Sequence, residues 1–160
     1  MKKIIICFTI IFITACNSNN STNLDSSNFS SSAEKIEILS KEIKMFSEVA
    51  DAEFRLFNTD GFSDSRKLSV PAPPIYDYKF VVKLNKNNLN NWKDDMTEVQ
   101  ENNFNFETEW TVELIERNKD DWKVSSKPKY YIWKNNSDET FVYMIIYEKE
   151  GVIFRRSVTI

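Results

Sequence analysis

The stretch Phe141-Val142-Tyr143-Met144-Ile145-Ile146-Tyr147 constrains this chain most, because it is apolar at every position. An alternating strand has one face for water, but a run like this has none. It predicts a strand in the middle of a sheet, with one face meeting a long helix and the other either covered or exposed. The flanking segments agree. Residues 129–133 read as one strand, 140–148 as the next and 152–159 as a third, forming an antiparallel meander. Lys149-Glu150-Gly151 suits a tight hairpin, with Gly151 supplying a positive φ.

Two earlier runs alternate in the same way. In 76–84, Tyr78, Phe80, Val82 and Leu84 oppose Asp77, Lys79, Val81 and Lys83. In 104–114, Phe104, Phe106, Thr108, Trp110, Val112 and Leu114 oppose Asn105, Glu107, Glu109, Thr111 and Glu113, which predicts the longest strand. Trp110 is expected to be buried there beside Phe106 and Val112. The short stretch 122–124 fits a strand fragment or a helical turn.

Helical spacing occurs twice. Ile36, Leu39, Ile43, Phe46, Val49 and Ala50 recur on one face over 33–52, with charged residues between them and Ser32 as a cap. This predicts a long amphipathic helix, able to run on through Phe54 and Phe57, that covers one face of the sheet. Residues 87–98 predict a short helix presenting Leu89, Trp92 and Met96. The expected fold is therefore α+β: a mainly antiparallel sheet of four to six strands, one long N-terminal helix and one short helix. Pro71, Pro73 and Pro74 hold the approach to the 76–84 strand extended.

The start of the chain has a separate logic. Met1-Lys2-Lys3 precedes an apolar run from Ile4 to Ile13, too short to span a bilayer, which takes about 20 apolar residues. Small residues follow, and then Cys16. The stretch Ile13-Thr14-Ala15-Cys16 resembles the lipobox of bacterial lipoproteins. That resemblance implies cleavage before Cys16, a diacylglyceryl group on its sulfur, and acylation of the new amino group. It also implies a protein in the cell envelope, bound to the membrane through lipid on Cys16. Because Asn17, and no aspartate, follows the cysteine, the resemblance places the protein at the outer membrane, facing the periplasm, in a host with two membranes. Twelve of the sixteen residues in 17–32 are Ser or Asn, which predicts a flexible tether of about 20–25 Å mean span. The expected organisation is a signal peptide at 1–15, lipidated Cys16 with a tether to 32, and one α+β domain at 33–160.

Composition narrows the chemistry. The chain has no histidine, two cysteines and two glycines. Cys7 lies in the signal and Cys16 in the lipobox, so the domain stands on its core without a disulfide, drawing on the ten Phe, six Tyr and four Trp that follow the signal. No Ser-His-Asp or Cys-His pair, zinc site or glycine-rich phosphate loop can be built from this set. The carboxylates Asp94, Asp95 and Glu98, Asp120 and Asp121, and the row Glu107, Glu109 and Glu113 leave a two-carboxylate hydrolase as the one enzymatic route. Such runs more often form solvated faces, so a non-enzymatic domain without metal or cofactor is expected. Loss of Lys2 and Lys3 takes the net charge from −3 to −5, which argues against nucleic acid as a partner.

Function is then expected to rest on a protein or envelope partner, either bound directly or joined as an accessory of an envelope complex. The second face of the meander is either covered by the short helix or exposed as a binding patch. If exposed, Tyr131 and Trp133 are the candidate contact residues, since rigid aromatic side chains lose little entropy on binding.

Overall fold

The structure is a computed structural model and describes residues 21–62, 75–103, 106–118, 122–137 and 139–159. Seven strands form one antiparallel sheet: β1 (Asn23–Asp25), β2 (Asp51–Asn58), β3 (Tyr76–Lys83), β4 (Met96–Val99), β5 (Lys129–Trp133), β6 (Thr140–Tyr147) and β7 (Val152–Thr159). Their order across the sheet is β1-β2-β3-β7-β6-β5-β4. The α-helices are α1 (Ser32–Glu42) and α2 (Glu109–Glu116), and three short 3-10 helices complete the described elements. The signal segment and Cys16 lie outside the described residues.

The meander forms as its pattern requires. β6 lies inside the sheet between β5 and β7, and residues 142–146 are all buried. Gly151 closes the β6–β7 hairpin at φ +70°. Its carbonyl accepts from Leu84 N at 2.9 Å, and an added Cβ there would meet the Leu84 carbonyl oxygen.

Each sheet face carries its own apolar layer. On one, Phe54, Leu56, Phe80, Val82, Met144, Ile146 and Ile153 pack under Leu39 of α1 and under Leu89 and Trp92. On the other, Val81, Tyr143, Ile145 and Phe154 pack under Trp110 and Leu114 of α2, Phe106 and Trp122.

Several expectations are corrected. There is no long N-terminal helix: α1 stops at Glu42, and Ile43 is already extended at φ −130°, ψ 155°. Residues 51–57, expected as the end of the helix and its continuation, belong instead to β2. Ala52, Phe54 and Leu56 alternate with Glu53, Arg55 and Phe57, and an eight-residue ladder to β3 rewards that alternation over helical spacing. The cap is Ser31, whose Oγ accepts from Glu34 N at 3.2 Å, while Glu34 returns a bond to Ser30 N.

The segment 104–114, expected as the longest strand, instead holds α2. Phe106, Trp110 and Leu114 are spaced by four as well as by two, so they line one face of a helix equally well. In the helix Trp110 and Leu114 are buried while Val112, expected to pack with them, is 57% exposed. The short helix at 87–98 is a 3-10 segment, Lys86–Trp92, after which the chain becomes β4. It lies on the same face as α1, so the opposite face is covered by α2. Trp122 belongs to no regular element, and the sheet has seven strands where four to six were expected.

The segment expected as a tether also departs from expectation. β1 pairs with β2 through Asn23↔Phe57, Leu24↔Leu56 and Asp25↔Arg55, Ser26 is fully buried, and Ser32 begins α1.

Candidate functional site

The most elaborate polar cluster surrounds Glu53, which is 1% exposed. Its position on β2 points it toward α2 and away from the Phe54 layer. One carboxylate oxygen accepts from Ser26 Oγ; the other accepts from Lys35 Nζ and, at 2.7 Å, from Asn118 Nδ2. Arg117 Nη1 lies 3.8 Å from Glu53 and donates to Ser26 Oγ at 2.8 Å. Ser26 Oγ also accepts from Phe54 N at 3.0 Å. A buried carboxylate with this many donors is fully satisfied and stays in place.

Around it, Asp25 accepts from Arg117 Nη1 at 2.8 Å and from Arg55 Nε at 3.3 Å. Partial burial would raise the Asp25 carboxyl, but the bonds from Arg117 and Ser27 outweigh it and bring the group down to about 2. Arg55 forks onto Glu113 of α2. The cluster thus joins β1, β2, α1 and α2. Sequence reasoning missed it because Ser26 and Asp25 sit in a Ser/Asn-rich stretch and Glu53 in a predicted helix.

The carboxylates considered for catalysis are spread apart or neutralised. Glu107 pairs with Arg156, which also grips Asp77 with Nε to Oδ1 at 2.8 Å. Glu113 pairs with Arg55, and Glu98 lies 3.9 Å from Lys129. Asp120 and Asp121 lie outside the described residues. Among the described residues no group of three His, Cys, Asp or Glu could hold a metal ion. A cleft of about 400 Å³ is lined by Lys79, Phe106, Glu107, Thr108, Glu109 and Trp110. Of its two carboxylates only Glu107 is engaged by Arg156.

Tyr131 and Trp133 lie on the face that α1 covers. Tyr131 is 5% exposed and belongs to the core, with Trp133 half-buried beside it. The Tyr131 hydroxyl donates to Glu98 Oε2 at 3.2 Å, and Lys93 Nζ stands 5.6 Å from the ring centre. Burial, with Glu98 alongside, raises its phenol well above the usual tyrosine range. Neither residue projects freely from the sheet, and Tyr131 offers little more than its rim.

An open groove lies nearby, where β4 ends and β5 begins. It measures about 590 Å³ and is lined by 98–102 and 127–130. Glu98, Glu101, Lys127 and Lys129 give it mixed charge, and the Tyr130 hydroxyl, on its wall, donates to Glu101 Oε1 at 2.8 Å. β4 is the outer strand at that side of the sheet, so among the described residues its far edge faces no other strand.

Comparison with known proteins gives no match: none to a family model, none among curated proteins and none among solved structures.

Proposed function

We propose that this chain is an envelope lipoprotein, anchored through lipid on Cys16, whose folded domain binds a protein or envelope partner without catalysing a reaction. The observation that carries the anchor is the run of Lys2-Lys3, the mainly apolar stretch from Ile4 to Phe12 and Ile13-Thr14-Ala15-Cys16. Among the described residues no helix is long and apolar enough to cross a membrane. Binding is favoured over catalysis because Glu107, Glu113 and Glu98, three of the carboxylates considered for catalysis, stand beside Arg156, Arg55 and Lys129. The groove beside β4 and β5 is the place for the partner: it is open, its lining is mixed in charge, and a strand edge borders it.

Intact-mass measurement on the membrane fraction tests the anchor. The mature chain should begin at Cys16 and carry acyl mass, and Cys16→Ser should abolish both. A Cys16→Ser protein with unchanged mass and membrane attachment would overturn the anchor. In a host with two membranes, density-gradient fractionation should place the protein with the outer membrane. A photo-crosslinking residue at Gln100, in the groove, should give a discrete adduct in intact envelopes where one at Val112 gives none. Absence of an adduct at Gln100 would remove the groove as the binding place.

A further inference from the structure

The first described residues lie close in sequence to the proposed anchor. Phe62 N donates to the Ser21 carbonyl at 3.2 Å, and Asn58 N donates to the Thr22 carbonyl at 2.9 Å. Between Cys16 and Ser21 stand only the residues 17–20. Fully extended, five residue steps reach at most about 18 Å; a flexible chain of that length averages about 12 Å. An eight-residue strand is about 25 Å long. The link is therefore shorter than the domain it holds, and the domain cannot turn freely over the membrane.

Register decides which end is held down. β1 runs antiparallel to β2, so Ser21 and Thr22 lie beside the end of β2 and the turn 59–62. The start of β3 and the end of β7 share that end, where Tyr76 N donates to Thr159 Oγ1 at 2.7 Å. Ile75 is there too, tied to Thr59 by a 3.0 Å bond from Thr59 N to its carbonyl. It is 60% exposed, one of two large apolar side chains among the described residues that face solvent to that degree. At the other end of β1, Asp25, Arg55 and Glu113 form ion pairs that favour water. Lys149 stands at the far end in the exposed β6–β7 turn.

We infer that the end of the sheet formed by residues 21–22, the turn 59–62 and Ile75 rests on the lipid surface, with the β6–β7 turn pointing away. This rests on the anchor proposed above. It makes Ile75 an apolar contact with lipid and holds the domain close to the bilayer.

The proposed mature chain has no thiol besides the lipidated Cys16, so one introduced cysteine can be labelled selectively. Ile75→Cys and Lys149→Cys, each purified with its lipid from membranes and labelled with an environment-sensitive fluorophore, are placed in phosphatidylcholine vesicles carrying nitroxide head groups. Flotation comes first: protein that does not float would sink the anchor and this inference together. In floating protein, quenching at 75 should exceed that at 149 several-fold. Insertion of about fifteen Gly/Ser residues between Asn20 and Ser21 should shrink the difference. Equal quenching at the two positions in floating, uninserted protein would overturn the orientation and leave the anchor standing.

Discussion

Trp110 and Val112 are two positions apart and have opposite fates, because a helix puts them on different faces. The Trp110 ring is buried against Phe154 at 5.9 Å between centres, and its Nε1 donates to the Tyr143 hydroxyl at 2.9 Å. The Tyr143 hydroxyl in turn donates to the Glu107 carbonyl at 2.6 Å. Trp110→Ala should cost roughly 3–5 kcal/mol, whereas Val112→Ala should be neutral or slightly stabilising, since alanine is the better helix former at an exposed site. Chemical denaturation of the two variants checks this, and equal costs would contradict the helix. Asp25 gives a second test. Its folded pKa, about 2, lies below its ordinary value of 3.8. A depressed carboxyl contributes stability that is present above the unfolded pKa and lost as pH falls through the folded one. The wild type should therefore lose on the order of 2 kcal/mol from this group between about pH 4 and pH 2. In Asp25→Asn, acid melts over the same window should have a correspondingly flatter slope.

At the scale of elements, β1 is held by side chains more than by its ladder, which spans three residues. Arg117 supplies the tie from α2, and Ser26 the tie to Glu53. Arg117→Ala removes one charged donor from Asp25 and from the buried Ser26 Oγ, a loss of about 1–3 kcal/mol, and should speed amide exchange in 23–28 well before the β6–β7 core exchanges. Exchange rising equally everywhere would mean the cluster holds the whole fold and not this element. The β6–β7 hairpin depends on Gly151, where positive φ and the nearby Leu84 carbonyl exclude a side chain. Gly151→Ala should cost about 2–4 kcal/mol in a thermal or denaturant melt.

For the whole molecule, a single sheet separates two apolar layers, and β3, β6 and β7 contribute side chains to both. Neither layer can loosen without exposing strands that the other needs. Unfolding should thus be one cooperative step. Tryptophan fluorescence, which samples Trp92 and Trp133 on one face and Trp110 and Trp122 on the other, should follow the same curve as far-ultraviolet circular dichroism. Separated transitions would show that the layers are independent.

The local pattern determined the parts whose neighbours in space are neighbours in sequence. The strands β5, β6 and β7 and the Gly151 turn follow from period-two alternation, an unbroken apolar run and one glycine; β3 shows the same alternation, but its place between β2 and β7 does not follow from it. These signals are strong because each strand's partner in the meander follows directly, and because burial on both faces of β6 leaves its stretch 141–147 no polar position. Tertiary structure decided what two periods could share. Phe106, Trp110 and Leu114 satisfy a strand and a helix alike, and only a sheet face in need of cover selects α2. Ala52, Phe54 and Leu56 look like a helix's continuation until β3 offers eight partners. The Glu53 cluster joins residues 18 to 65 positions apart, so no local window contains it. Its Ser26 looks, in sequence, like one more serine in a polar stretch, and becomes buried only because Glu53 and Arg117 arrive from elsewhere in the chain to satisfy it.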